Sequence, residues 1–292
     1  MDYTKLQNGS DIRGVAMEGI EGQHVNLTEQ ACRDIGRGFA LWLRARLGKD
    51  TLRVAVGRDS RLSGPQLALW LMEAMAAEGL QVTDLGMAST PAMFMSTVTE
   101  GFAFDASVMI TASHLPFNRN GYKFFTKDGG LEKQDITAIL ALAGGSEHTG
   151  LPAGSIVTGS FMDTYAAQLR KKVQDAAGCE QPLAGMRIVV DAGNGAGGFY
   201  AEQILAPLGA DVSASQFLDP DGHFPNHQPN PENKEAMESI SRRVVESGAD
   251  FGLIFDTDVD RSSAVDKNGR EISRNAIVAM AAALIAVEHP GT

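Results

Sequence analysis

Residues 111–125 read Thr-Ala-Ser-His-Leu-Pro-Phe-Asn-Arg-Asn-Gly-Tyr-Lys-Phe-Phe, and the rest of the chain is organised around them. The preceding run, Ala-Ser-Val-Met-Ile over Ala106–Ile110, has the length and β-branched content of a buried strand. Pro116 and Gly121 forbid its regular continuation. Ser113, His114, Arg119 and Lys123 are therefore expected together on a loop at a strand end, where α/β proteins usually carry their chemistry. A hydroxyl among cations suits an oxygen that carries or receives a phosphoryl group, because the charge it gains needs partners. The plain alternative is a polar surface turn. Four reactive side-chain types in so short a stretch weigh against it.

Upstream, Thr28 can cap a helix whose apolar positions Ala31, Ile35, Phe39, Trp42 and Leu43 follow the helical period, with Gly48 closing it. Leu52–Val56 reads as a strand and runs into the turn Gly57-Arg58-Asp59-Ser60-Arg61. Ser63 and Gln66 have the spacing of a capping box, with Pro65 in the first turn of a helix reaching Gly79. Leu80–Leu85 is the next expected strand, and Thr90-Pro91 opens a short helix. Beyond the serine loop come a strand over Tyr122–Thr126, a hairpin turn at Asp128-Gly129 and a helix over Gln134–Leu142. The Gly-, Ser- and Pro-rich segment 144–155 reads as a domain linker.

Past that linker, Phe161–Ala176 reads as a helix with Lys171 and Lys172 outward, and Arg187–Val190 as a strand. The Gly-rich run Asp191–Gly198 is read as a tight strand-to-helix turn; its spacing does not make a dinucleotide fingerprint. Arg53–Val56, a helix and Glu78–Val82 are echoed by Arg187–Val190, a helix and Leu208–Val212, each pair the size of one β-α-β unit. The expected fold is α/β: two consecutive three-layer domains of related topology with mixed sheets, spanning 1–150 and 151–265, and the beginning of a third over 266–292. Gly222–Glu232 is too rich in Pro and Asn for regular structure, and His223 and His227 there read as loop residues rather than metal ligands.

A second chemical feature follows a helix over Glu235–Ser247. The apolar strand Ala249–Phe255 ends at Asp256-Thr-Asp-Val-Asp-Arg261. Carboxylates at i, i+2 and i+4 on one loop can converge on a hard cation, which prefers oxygen ligands. Without a cation or basic neighbours one of the three would be expected to protonate. An EF-hand is excluded, since Arg261 and Lys267 stand where that loop needs Gly and Glu.

Composition narrows the partners. A net charge of −11 over 292 residues argues against nucleic acid, which needs a basic footprint. The longest apolar run, Ala276–Val287, falls short of the ~20 residues that span a bilayer, so no membrane is expected. Cys32 and Cys179 make neither a disulfide framework nor a zinc site, and the N-terminus lacks the apolar core of a signal peptide, so the expected location is the cytoplasm.

Residues 111–123 resemble the phosphoserine loop of the α-D-phosphohexomutases, the phosphomannomutase/phosphoglucomutase family. That loop runs Thr-Ala-Ser-His-Asn-Pro, three variable residues, then Asn-Gly-x-Lys. Thr111, Ala112, Ser113, His114, Pro116, Asn120, Gly121 and Lys123 match it, and Leu115 replaces the usual Asn. Three further segments match in the same order: Asp-Ile-Arg-Gly at 11–14, Gly-Arg-Asp-x-Arg at 57–61 and Asp-x-Asp-x-Asp-Arg at 256–261, where Thr257 and Val259 stand at positions the family often fills with Gly.

The resemblance implies a phosphate carried on Ser113 and Mg²⁺ held by the Ser113 oxygen, Asp256, Asp258 and Asp260. It implies cationic support from Arg13, Arg58 and Arg261, with Lys123 as acid/base and His114 beside the serine. The implied partners are a hexose phosphate and a hexose bisphosphate, interconverting hexose 1-phosphate and 6-phosphate. The family has four domains, and this sequence stops about where the third begins, with Asn275–Val287 as its first helix; little mutase turnover is expected of it alone. Two alternatives stay open. One is a haloacid-dehalogenase-like phosphatase with Asp256 as nucleophile; the other is a non-catalytic module derived from a mutase.

Overall fold

The computed structural model describes residues 2–49, 51–289 and 291. In chain order the elements are β1 (Gln7–Asn8), β2 (Asp11–Val15), α1 (Glu29–Leu47), β3 (Arg53–Arg58), α2 (Gly64–Ala77), β4 (Gln81–Met87), α3 (Thr90–Val98), β5 (Ala106–Ile110), β6 (Arg119–Thr126), β7 (Gly129–Gly130) and α4 (Lys133–Gly144). They continue with β8 (Ser155–Thr158), α5 (Met162–Ala177), β9 (Ile188–Asp191), a π-helical turn (Tyr200–Leu205), α6 (Lys234–Ser247), β10 (Phe251–Phe255), β11 (Ser262–Asp266), β12 (Glu271–Ile272) and α7 (Arg274–Glu288).

Among the described residues two mixed sheets form. The first has the order β1-β2-β6-β5-β3-β4-β8, with β7 on β6; the second runs β12-β11-β10-β9. In the first, β5, β3, β4 and β8 are parallel, while β6 lies antiparallel between β5 and β2. Helices cover both faces. Ile35, Phe39 and Leu43 of α1 join Leu71 and Met75 of α2 and Ile139 of α4 on one face, and Met93 of α3 with Phe161 and Tyr165 lies on the other. Full burial of each large apolar side chain contributes about 1.5–3 kcal/mol. The α1 cap, Thr28 Oγ1 accepting from the Ala31 amide, adds only ~1 kcal/mol. Packing therefore holds this helix, and the cap sets where it starts. The second sheet is likewise covered twice, by the π-helical turn through Ala201 and Leu205 and by α6 through Ile240 and Val244.

Four local readings change. Ser63 precedes α2 but makes no capping bond to it. Its Oγ accepts instead from Asn120 Nδ2 at 2.8 Å, because that amide is wholly buried and an unpaired buried donor is costly. The strand expected to end at Val56 continues to Arg58, since Gly57 and Arg58 still pair with Met109 and Ile110 of β5. The segment Leu208–Val212 is not a regular strand. It contributes the parallel bridge Arg187↔Asp211 and then turns where Asp211 accepts from the Ser213 amide and hydroxyl. Part of the segment read as linker also folds onto the first unit, where the Thr149 amide donates to buried Glu78 and β8 pairs with β4.

Gly121 is needed for close approach. A Cβ there would sit 2.1 Å from the Ile12 carbonyl oxygen across the β2–β6 pairing. Arg13 stands opposite Gly121, two residues from Lys123, so the two side chains lie on the same face of the first sheet.

Candidate active site and acidic loop

Ser113 lies three residues past the end of β5 and is fully buried. Its φ of 53° lies in the left-handed region, where a non-glycine residue costs about 1–3 kcal/mol. Arg61 offsets that cost. Its guanidinium donates to the carbonyls of Ser113 at 2.6 Å, Leu115 at 2.7 Å, Pro116 at 2.8 Å and Arg119 at 2.9 Å. Arg13 adds a bond from Nη1 to the Ala112 carbonyl at 2.8 Å while its other face pairs with Asp11. The loop is thus tied down by cations acting on its backbone rather than on the serine side chain.

Across from it, β10 delivers Asp256, Asp258 and Asp260. Ser113 Oγ donates to Asp256 Oδ2 at 2.9 Å and lies 3.4 Å from His114 Nδ1. The other Asp256 oxygen accepts from the amides of Asp260 at 3.1 Å and Arg261 at 3.0 Å. Lys123 Nζ donates to Asp258 at 3.0 Å and also to Asp260. Thr90 binds Asp258 twice, hydroxyl to carboxylate at 2.6 Å and amide to carbonyl at 2.8 Å. Val259, between the last two acids, is held at φ 65°, an unusual place for a β-branched residue.

The electrostatics follow from this crowding. Burial first, then Asp258 and Asp260, push the Asp256 carboxyl up to about 8. Asp258 moves down: burial opposes its charge, but Lys123 and Thr90 outweigh burial. For Lys123 burial likewise disfavours the charge, and the two carboxylates overcome it, raising the ammonium above its ordinary value. His114 is lowered by burial and by the neighbouring Arg261 and Arg13, which keeps its imidazole neutral near pH 7.

The acidic set fits a hard divalent cation. One oxygen from each of the three carboxylates lies within 4.8 Å of the others, and buried Asp258 Oδ1 has no hydrogen-bond partner among the described residues. Oxygen-only donors of this charge are what Mg²⁺ or Ca²⁺ prefers.

The structure thus brings Ser113, His114, Lys123, Arg13, Asp256, Asp258, Asp260 and Arg261 together. Arg58 stands apart, its guanidinium taken by Asp84 at 3.0 Å. Arg61, three residues on, reaches the serine loop instead. Its sequence signals were its place as the second arginine of the Gly-Arg-Asp-x-Arg segment and Asp59, an acid placed to accompany a buried arginine; the two lie 3.4 Å apart, both fully buried. Thr90 gave no sign beyond its place before a proline. Nor did Gln228, whose Nε2 donates to the His114 carbonyl at 2.6 Å.

The profile described as phosphoglucomutase/phosphomannomutase α/β/α domain I matches residues 4–147, and that for α/β/α domain II matches 163–269. A phosphomannomutase/phosphoglucomutase of Pseudomonas syringae pv. tomato is 33% identical over 286 residues, covering 96% of this chain and 56% of that protein. A phosphoglucosamine mutase of Streptococcus pneumoniae is 36% identical over 86% of this chain and 55% of its own length. The crystal structure of a phosphoglucomutase/phosphomannomutase family protein from Burkholderia thailandensis superposes with a TM-score of 0.83 at 29% identity, over 100% of this chain and 61% of that one. Two α/β/α units joined at a loop serine and an acidic trio are thus the architecture of the α-D-phosphohexomutase class. The chain belongs to the phosphoglucomutase/phosphomannomutase family. It spans about half the length of the curated relatives it matches. Among the described residues no helix is long and apolar enough to cross a membrane.

Proposed function

We propose that this chain performs the phosphoryl-transfer half of a phosphohexomutase: Ser113 Oγ carries a phosphoryl group and exchanges it with a hexose phosphate by way of a hexose bisphosphate. The observation that carries this reading is the 2.9 Å contact between Ser113 Oγ and Asp256 Oδ2, made by loops from two different units. In the transfer the P–O bond to Ser113 breaks as a substrate hydroxyl forms a new one; the hydroxyl proton passes to a base, and the Ser113 oxygen keeps the electron pair of the broken bond and takes up a proton. Arg13 and Arg61 hold the backbone of the loop that carries the serine, and positioning is what this chemistry mainly demands.

We assign Asp256, Asp258 and Asp260 to Mg²⁺, with the Ser113 oxygen as a further ligand. When bound, the ion supplies positive charge against the phosphoryl oxygens. Lys123, as held by Asp258 and Asp260, is a proton donor and a cationic partner. Its hold on the proton weakens once those carboxylates are engaged elsewhere, and only then can it act as a base. Arg261 supports the phosphoryl charge and lies close enough to His114 to depress that imidazole. The haloacid-dehalogenase-like alternative would place the phosphate on Asp256 instead, and the following experiment separates the two.

Incubation with glucose 1,6-bisphosphate and Mg²⁺, followed by peptide mass spectrometry, tests the reading. Phosphate is expected on Ser113 and is expected to be absent from Ser113→Ala. Phosphate on Asp256, or none on the wild-type chain, would overturn it.

A further inference from the structure

The Pro- and Asn-rich segment 222–232 looks like filler, yet residues 222–228 within it are fastened at both ends. Gly222 is buried against the turn that presents Arg61: a Cβ there would meet the Ser60 carbonyl and the Leu62 amide at 2.6 Å. Two residues on, the Phe224 ring lies under the Arg61 guanidinium at 5.5 Å, and Phe224 holds φ at 51° to get there. At the far end Gln228 Nε2 donates to the His114 carbonyl, next to Ser113. One segment of the second unit therefore touches both the arginine that laces the serine loop and the loop itself.

Between these contacts sits an ion pair that no step of the chemistry uses. His227 is buried, and its Nε2 lies 3.0 Å from both oxygens of Asp191, at the end of β9. Its Nδ1 faces the Gln228 carbonyl at 3.0 Å. Both ring nitrogens thus meet acceptors, which holds the ring as an imidazolium. Asp191 is itself pinned by Gln216 Nε2 at 2.7 Å and the Gly193 amide at 2.9 Å. The other charged group acting on the ring is Glu235 of α6. A buried pair this well bonded fixes the neighbouring backbone, and the neighbour is Gln228.

We propose that residues 222–228 form a strap positioning the Ser113 loop, with the His227–Asp191 pair as its anchor and Gln228 as its contact. The importance of that positioning for phosphoryl uptake rests on the function proposed above; the strap itself does not. His227 and Gln228 are positioning residues and touch no reacting atom.

Amide hydrogen exchange over residues 113–119, read by mass spectrometry on the whole chain, tests it. Gln228 is exposed, so Gln228→Ala should fold normally. Exchange in that window should accelerate about tenfold while the core strands exchange as in the wild type. Gln228→Glu keeps the side-chain length but loses the N–H donor, and should behave like Gln228→Ala. The saturating rate of phosphate uptake on Ser113 from glucose 1,6-bisphosphate should fall about tenfold, with half-saturation shifted less than about twofold. His227→Gln should accelerate exchange over 222–228 and 113–119 together. Exchange within about twofold of wild type over 113–119 in Gln228→Ala would overturn the strap. A wild-type chain that takes no phosphate would instead overturn the functional reading, and the exchange data would still decide the strap.

Discussion

Arg61 holds Ser113 by its backbone: the guanidinium Nη2 lies 2.6 Å from the Ser113 carbonyl oxygen, and both residues are out of contact with solvent. The same group reaches three further carbonyls of the loop, so one side chain defines the shape of seven consecutive residues, 113–119. Burial raises the accompanying Asp59 carboxyl to about 6, even though Arg61 opposes the shift.

Arg61→Lys should therefore be severe. A lysine cannot reproduce the planar fork, and it leaves carbonyls and Asp59 imperfectly paired. Urea unfolding should show a loss of ~3 kcal/mol, the scale for breaking a buried charge pair. A loss below about 1 kcal/mol would mean the loop is organised by something else.

Thr90→Val keeps the shape of a residue wedged beside Asp258 and removes its hydroxyl. The carboxylate then loses a buried donor, with an expected cost of about 1–3 kcal/mol. Thermal unfolding of the variant should begin at lower temperature, and unchanged melting would show that Lys123 alone satisfies Asp258.

The acidic loop should bind one divalent cation per chain. Mg²⁺ at about 100 times its Kd should stabilise the fold by ~2.7 kcal/mol, reversed by chelator. Mn²⁺ titration followed by electron paramagnetic resonance should report the site directly, with Asp258→Asn weakened about tenfold or more. Equal melting temperatures in Mg²⁺ and in EDTA would count against the assignment.

His227 sets a pH dependence. Burial disfavours its charge, but the bond to Asp191 outweighs burial and raises its pKa above 6.5. A base raised on folding contributes stability that is complete below its unfolded value and lost as pH rises through the folded one. Melting temperature should thus decline as pH climbs above 6.5, and His227→Gln should flatten that slope. A variant with the wild-type slope would place the titration elsewhere.

Both loops that meet at the site were legible because each is a contiguous run whose chemistry is written in adjacent letters. As residues, Ser113 and Asp256 announced themselves separately, and only the family resemblance paired them; their 2.9 Å contact is a product of tertiary packing. What escaped the sequence depends on non-local choices. Arg58 and Arg61 are equivalent as letters, and only the course of β3 decides that one faces Asp84 and the other the serine loop. Ser63 had capping spacing, but Asn120 from a distant strand outcompeted the helix for its oxygen. Thr90 and Gln228 matter through single bonds across the molecule, which no local pattern encodes.

Strand β8 carries a practical consequence. It lies at the margin of the first sheet, supplying β4 with its outer neighbour. A polypeptide cut at residue 150 would leave Gln81–Asp84 with a bare row of amides and carbonyls, a template for self-association. Anyone isolating the serine-bearing half should therefore carry it through Thr158, or expect precipitate in the tube.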